Sequence, residues 1–288
     1  MPTTPGPEHA ALAARVSLMR TLADRAGTVA MRYFQSISLS VHTKSDASPV
    51  TEADLEIESL LRSEIRADFP NDGLLGEEHG AEDGTSGYRW VIDPIDGTIS
   101  FAAGVPLFGT LIGLELARGD SREVVAGICA MPALGESVWA ARGHRAWWER
   151  NGPGGATHRT EACVRTAVPL AEALVCTSGL EYFERAGRTN ALFDIARAAR
   201  RVRGWSDCYG GMLVATGRAD AWFDPVMNPW DSGPFPVIFK EAGGVFTDWH
   251  GRADIHGGSA LAAAPELHAE LLRTIQASAS HSLPNANS

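Results

Sequence analysis

The chain has 288 residues, 44% of them apolar and 21% charged, and carries a net charge of −10. That length accommodates one large domain or two packed subdomains, and the composition is that of a soluble globular protein. The acidic balance argues against a nucleic-acid partner, which a Lys/Arg surplus would bind, and no run approaches the ~20 apolar residues of a membrane span. Cys129, Cys163, Cys176 and Cys208 are scattered, without a C-x-x-C pair. They read as reduced thiols, not as a zinc ribbon or disulfide framework. The N-terminus has no apolar h-region, so no signal peptide is expected and the location expected is cytoplasmic.

Residues 1–8 read as a loose tail. Leu12, Val16, Met19, Leu22, Ala26, Val29 and Tyr33 recur at helical spacing, which predicts a long helix over 9–34. Residues 37–43 alternate like a short strand, and 44–49 form a polar loop. Thr51-Glu52-Ala53-Asp54 is a capping-box pattern, and Ile57, Leu60, Leu61 and Ile65 give the helix that follows an apolar face. A short buried strand over 74–76 stops at Glu77-Glu78, and 81–88 is exposed. Strands at 107–116, 124–131, 137–141 and 145–148 suggest an antiparallel sheet covered by the first two helices. Composition changes at Asn151-Gly152-Pro153-Gly154-Gly155, which divides the chain into 1–152 and 153–288. Beyond it, strands at 174–177, 220–223, 245–247 and 260–263 alternate with helices near 181–199, 207–216, 232–242 and 265–276. That alternation implies a parallel or mixed sheet. A polar tail, expected to be disordered, follows from about 278. Trp147-Trp148 reads as strand packing or a subunit contact, and Arg200-Arg201-Val202-Arg203 as a solvated helix end.

The chemistry concentrates in residues 90–101. A buried strand, Trp90-Val91-Ile92, ends at Asp93, turns through Pro94 and presents Asp96 three residues on. Two carboxylates aimed at one point repel unless a cation lies between them, and oxygen-only ligands select a hard ion such as Mg²⁺. The backbone N–H groups of Gly97 and Thr98 would then face an anion beside the metal. A turn merely capped by two Asp explains the same residues. Other carboxylates end apolar strands or open helices. Asp54 fits a capping box, Asp231 an N-cap and Glu77 a plain loop position, so each has a structural explanation too.

The pattern Gly76-Glu77-Glu78, then Trp90-x-x-Asp93-Pro94-Ile95-Asp96-Gly97-Thr98-x-x-Phe101, then Pro229-Trp230-Asp231 with Glu241-Ala242-Gly243-Gly244, resembles the inositol monophosphatase superfamily. The resemblance covers nearly the whole chain. It implies an α+β or α/β fold, a layered αβαβα sandwich, with the active site in a cleft between halves. It also implies a lithium-sensitive phosphomonoesterase using two or three Mg²⁺ ions on a small phosphate ester, and a homodimer. By the same resemblance, Glu77, Asp93 and the Ile95 carbonyl would hold one metal, and Asp93, Asp96 and Asp231 a second. Gly97 and Thr98 would bind phosphate, and Thr98 paired with Asp54 would orient the attacking water near Glu77.

Three local features resemble the family's histidinol-phosphate phosphatase branch more than its inositol branch. They are Gly97-Thr98-Ile99-Ser100-Phe101, Arg203-Gly204-Trp205-Ser206-Asp207-Cys208-Tyr209, and Asp224-Pro225-Val226-Met227-x-Pro229-Trp230-Asp231. Asp207 would suit a cationic leaving group, although it also fits an N-cap for the helix over 207–216. Asp224 would contact substrate from the other side. One departure is Ser232-Gly233-Pro234-Phe235-Pro236, where two prolines remove donors early in a helix and put the reach of Asp231 in question. The expectation is hydrolysis of L-histidinol phosphate. The alternatives are an inositol-1-phosphate or broad small-molecule phosphatase, and a non-catalytic regulatory homologue.

Overall fold

The computed structural model describes residues 7–36, 41–43, 49–205 and 207–280. In chain order the elements are α1 (Pro7–Tyr33), β1 (Val41–Thr43), β2 (Pro49–Thr51), α2 (Glu52–Asp68), β3 (Gly73–Gly76), β4 (Gly80–Glu82), β5 (Tyr88–Asp96), α3 (Thr98–Ala102), β6 (Gly109–Arg118), β7 (Ser121–Met131), β8 (Glu136–Ala141), β9 (Ala146–Asn151) and β10 (Thr157–Glu161). The remainder is β11 (Leu174–Cys176), α4 (Leu180–Arg185), α5 (Thr189–Ala198), β12 (Arg201–Arg203), α6 (Cys208–Ala215), β13 (Ala221–Asp224), α7 (Pro229–Ser232), α8 (Phe235–Glu241), β14 (Val245–Thr247), β15 (Ala260–Ala263) and α9 (Pro265–Ser280).

Among the described residues the strands form an eight-stranded sheet, β10-β9-β8-β7-β6-β5-β3-β4, a five-stranded sheet, β12-β11-β13-β15-β14, and the pair β1-β2. The first sheet is antiparallel except where β3 runs parallel to β5. The second is mixed, as the alternation of strand and helix suggested. Helices α1 and α2 cover one face of the first sheet, with Leu22, Ile57 and Leu61 packed on Trp90, Ile92 and Ile112. On its other face α6 and α8 fill the space between the sheets, where Met212 and Phe235 meet Leu111, Cys129 and Trp222. Helices α5 and α9 close the far side of the second sheet around Phe183, Phe223 and Leu271. Helix, sheet, helix, sheet, helix is the layered sandwich expected. The central strands of both sheets are buried on both faces, and they carry long apolar runs.

Several elements differ from the sequence reading. The strand expected to stop at Asp93 continues to Asp96, and Pro94 lies in a bulge: Asp93 pairs with Leu111 and Asp96 with Gly109. A bulge is where a strand tolerates proline. Arg201–Arg203 is an edge strand, not a helix end; Val202 is half-buried between two exposed arginines, the charged alternation of a protected edge. The helix expected over 232–242 is two helices, because Pro234 and Pro236 interrupt the ladder after Ser232. Strands β4 and β10 are short and polar and escaped the periodicity. Helix α1 starts at Pro7, inside the expected tail, and α9 runs through Ser280 where a tail from 278 was expected. Residues 1–6, 37–40, 44–48 and 281–288, parts of the expected tails, strand and loop, lie outside the described residues. All four cysteines are free.

Candidate active site

The bulge at Pro94 brings Asp93 and Asp96 together at the end of β5. The hydroxyl of Thr110 on β6 donates to the Pro94 carbonyl at 2.9 Å and fixes the irregular backbone. Gly97 follows in a left-handed conformation (φ 84°), and a Cβ there would lie 2.9 Å from the Leu107 carbonyl oxygen and 3.0 Å from Asp207 Oδ2. Glycine is therefore required on both counts. Asp231 arrives from the other side of the first sheet, in the first turn of α7, which starts at Pro229 with Asn228 as its cap. Its carboxylate accepts the Asn228 backbone N–H at 2.7 Å, so Asn228, and not Asp231, is the N-cap.

Two glycines set the position of Asp231. Gly113 and Gly127 face each other across β6 and β7. A Cβ on Gly113 would lie 2.4 Å from the Gly233 carbonyl oxygen, and one on Gly127 would lie 2.5 Å from the Pro234 Cα. The segment between α7 and α8 thus rests directly on sheet backbone. The prolines break the helix without withdrawing the carboxylate: oxygens of Asp93, Asp96 and Asp231 lie within 4.8 Å of one another.

Glu77, in the turn after β3, lines the same cleft outside that trio. Its turn is anchored from below by Glu58 of α2, fully buried, whose carboxylate accepts the N–H groups of Glu78 (2.7 Å) and His79 (3.1 Å). Gly76 permits this approach, since a Cβ there would lie 2.1 Å from Glu58 Oε1. Arg62 Nε pairs with Glu58 at 2.7 Å and offsets the buried charge.

Asp54 is buried behind the cleft and closes the capping box of α2, its Oδ2 accepting the Thr51 N–H (2.8 Å) and hydroxyl (2.6 Å). The Thr98 hydroxyl donates to the Ile95 carbonyl at 3.1 Å. The Thr98–Asp54 pair expected from the sequence is therefore not made here. Asp207 sits at the N-cap position of α6 with a strained φ of 55°, yet its side chain makes no capping bond. The Cys208 N–H donates instead to Asp96 Oδ2 at 2.5 Å. Asp224 is buried on the opposite wall, its carboxylate taking the Ser178 N–H (2.5 Å), the Thr177 hydroxyl (3.2 Å) and the Trp222 indole N–H (2.6 Å).

The electrostatics are those of crowded, desolvated anions. Burial, then Glu77, Asp96, Asp231 and Asp54, pushes the Asp93 carboxyl well above the usual carboxylate range. Burial, then Asp207 and Asp231, does the same to Asp96. Asp231 is raised to about 7 by burial, against the Asn228 hydrogen bond. Asp54 and Asp224 are each raised to about 6, again chiefly by burial. Asp93 Oδ1 and Asp54 Oδ1 are buried without a hydrogen-bond partner among the described residues. Orphaned carboxylate oxygens beside two further carboxylates, with no soft donor in the set, fit a hard divalent cation.

The inositol monophosphatase family model matches residues 13–280. The chain belongs to the inositol monophosphatase family. It is 41% identical over 249 residues to a histidinol-phosphatase of Chlorobaculum parvum, covering 86% of this chain and 91% of that one. To a histidinol-phosphatase of Streptomyces coelicolor it is 38% identical, over 88% of this chain and 94% of the other. The fold is similar to the crystal structure of the extragenic suppressor protein suhB from Bartonella henselae, with a TM-score of 0.80 and 26% identity over 91% of this chain and 98% of that one. In this family member the cleft also takes Ser178, Tyr182 and Asn228 into its lining, none of which the sequence singled out. Asn228-Pro229 is a helix-start signal that could have marked Asn228. Ser178, whose buried hydroxyl has no partner among the described residues, carried no such signal.

Proposed function

We propose that the protein is a Mg²⁺-dependent histidinol-phosphatase, converting L-histidinol phosphate and water to L-histidinol and phosphate. The observation that carries it is the Asp93–Asp96–Asp231 trio at the floor of a cleft whose walls carry two further carboxylates, Asp207 and Asp224. Similarity to histidinol-phosphatases along most of the chain supports the same substrate.

Glu77, Asp93 and the Ile95 carbonyl would hold one cation; Asp93, Asp96 and Asp231 would hold a second, with Asp93 shared. Bound Mg²⁺ supplies charge neutralisation for a dianionic ester and acidifies a water. Gly97 and Thr98 line the cleft beside Asp96 and would hold the phosphoryl group through their backbone N–H groups. Thr98, once its hydroxyl turns from the Ile95 carbonyl it holds here, would with Asp54 orient the attacking water near Glu77. Asp207 and Asp224 would hold the leaving alcohol. Histidinol carries an ammonium and an imidazole, so carboxylate walls favour it over a neutral polyol. We further take the working form to be a cytoplasmic homodimer inhibited by Li⁺. Its residues 1–152 would carry most metal ligands, and 153–288 would supply Asp231 and the substrate contacts.

The test is phosphate release by the purified protein with Mg²⁺ on histidinol phosphate, inositol 1-phosphate and fructose 1,6-bisphosphate side by side. A strong preference for histidinol phosphate is expected. A preference for inositol phosphate, or equal rates, would keep the phosphatase and discard the substrate. No turnover on any of them would point to a regulatory homologue.

A further inference from the structure

Tyr182 shares the cleft with the acidic residues but has no part in the chemistry derived above. It lies on α4, where the neighbouring Phe183 is fully buried in the core beneath the second sheet and anchors the helix. Tyr182 itself is half-buried and lines the cleft with Ser178, Asp207 and Asp224. Toward solvent the cleft is lined by Ile99 and Val226, 56% and 42% exposed, beside the exposed Asn228. Beyond the metal-facing carboxylates, the pocket offers the Tyr182 ring, the aliphatic side chains of Ile99 and Val226, the polar groups of Ser178 and Asn228, and two carboxylates, Asp207 and Asp224. An organic cation with an apolar frame needs an aromatic face and an anion.

We propose that Tyr182 is a specificity-determining residue, its ring packing against the cationic nitrogen-bearing end of the leaving alcohol while Asp207 supplies the counter-charge. The proposal rests on histidinol phosphate being the substrate and adds the residue that selects it. Burial, followed by the charges of Asp207, Glu181 and Asp96, pushes the phenol up to about 12. The ring therefore stays neutral across the working range and presents its electron-rich face, not a phenolate. The leaving alcohol departs with a proton taken from solvent, and Tyr182 takes no part in that transfer.

The experiment compares wild type, Tyr182→Phe and Tyr182→Leu on histidinol phosphate and on glycerol 2-phosphate, a neutral-alcohol ester, with Mg²⁺ saturating. Tyr182→Leu is expected to raise KM for histidinol phosphate roughly tenfold. Its kcat, and both constants for glycerol 2-phosphate, should stay within about twofold. Tyr182→Phe keeps the ring and should behave as wild type. Equal losses on both esters would make Tyr182 a structural residue, and no change on either would remove it from recognition. A wild type that does not prefer histidinol phosphate refutes the substrate itself, a failure visible before any variant is made. Thermal melting of each variant separates lost contact from lost fold.

Discussion

The first N–H of α6, that of Cys208, donates to the Asp96 carboxylate at 2.5 Å. One bond ties the bulge that carries two of the clustered carboxylates to the helix whose cap position holds Asp207. The second sheet's helices are thereby referenced to the acidic trio itself. The same carboxylate that would bind cation fixes the wall that would meet the alcohol.

Asp93 is central to the trio and fully desolvated, so Asp93→Asn should reduce phosphate release below a tenth of wild type. The same change replaces a carboxyl that burial and its neighbours make costly to ionise with a neutral amide. The metal-free variant should therefore melt higher than metal-free wild type, by about 1 kcal/mol of stability. Steady-state kinetics and chelator-treated melting curves check both halves. Retained turnover would remove Asp93 from metal binding.

The raised carboxyls predict how metal-free stability depends on pH. Asp231 near 7, and Asp54 and Asp224 near 6, hold protons in the folded state that the unfolded chain, at 3.8, has released. Folded protein binds more protons in that window, so stability falls as pH rises from about 4 to about 7. Cation binding requires the ionised forms, so stabilisation by Mg²⁺ should grow over the same range. Melting temperatures with and without Mg²⁺ should diverge as pH rises. A constant gap would mean that the trio does not exchange protons for cation.

Asp207 is held at φ 55° without a capping bond to repay the strain. Asp207→Gly should leave the stability unchanged or raise it, by up to about 1 kcal/mol. The same variant should raise KM for histidinol phosphate roughly tenfold while sparing a neutral ester. Asp207→Asn should show the same selectivity with the strain retained. Equal losses on both esters would return Asp207 to a purely structural role.

Gly113→Ala or Gly127→Ala places a methyl group 2.4–2.5 Å from backbone atoms of Gly233 and Pro234. Each should destabilise the protein by about 2–4 kcal/mol and weaken Mg²⁺ binding, because the displaced segment carries Asp231. Calorimetric titration with Mg²⁺ and denaturant melts test this. Wild-type metal affinity in either variant would mean that Asp231 is positioned independently of that seat.

Much of this site is legible in the sequence because it is written locally. Asp93, Pro94 and Asp96 sit within four positions, and Thr51 with Asp54 spells out its own cap. Glu58 was not legible. With Arg62 it forms an i,i+4 pair that reads as a solvated helix face, and only the fold shows that both are buried beneath the Glu77 turn. The exchange of the Thr98–Asp54 pair for separate partners depends on which donors reach each oxygen first, a three-dimensional matter. Gly113 and Gly127 read as weak points in good strands. Their purpose appears only against a segment more than a hundred residues further along the chain.

That seat carries an evolutionary consequence. Where a side chain crowds a side chain, a neighbour can turn to another rotamer or be replaced by a smaller residue. Here the crowding atoms are a main-chain oxygen and a Cα, which no substitution at Gly233 or Pro234 can shrink. A genetic screen for revertants of Gly113→Ala should therefore return true reversions, or changes that lengthen or re-route the linker between α7 and α8. It should not return compensating changes in the residues that touch it.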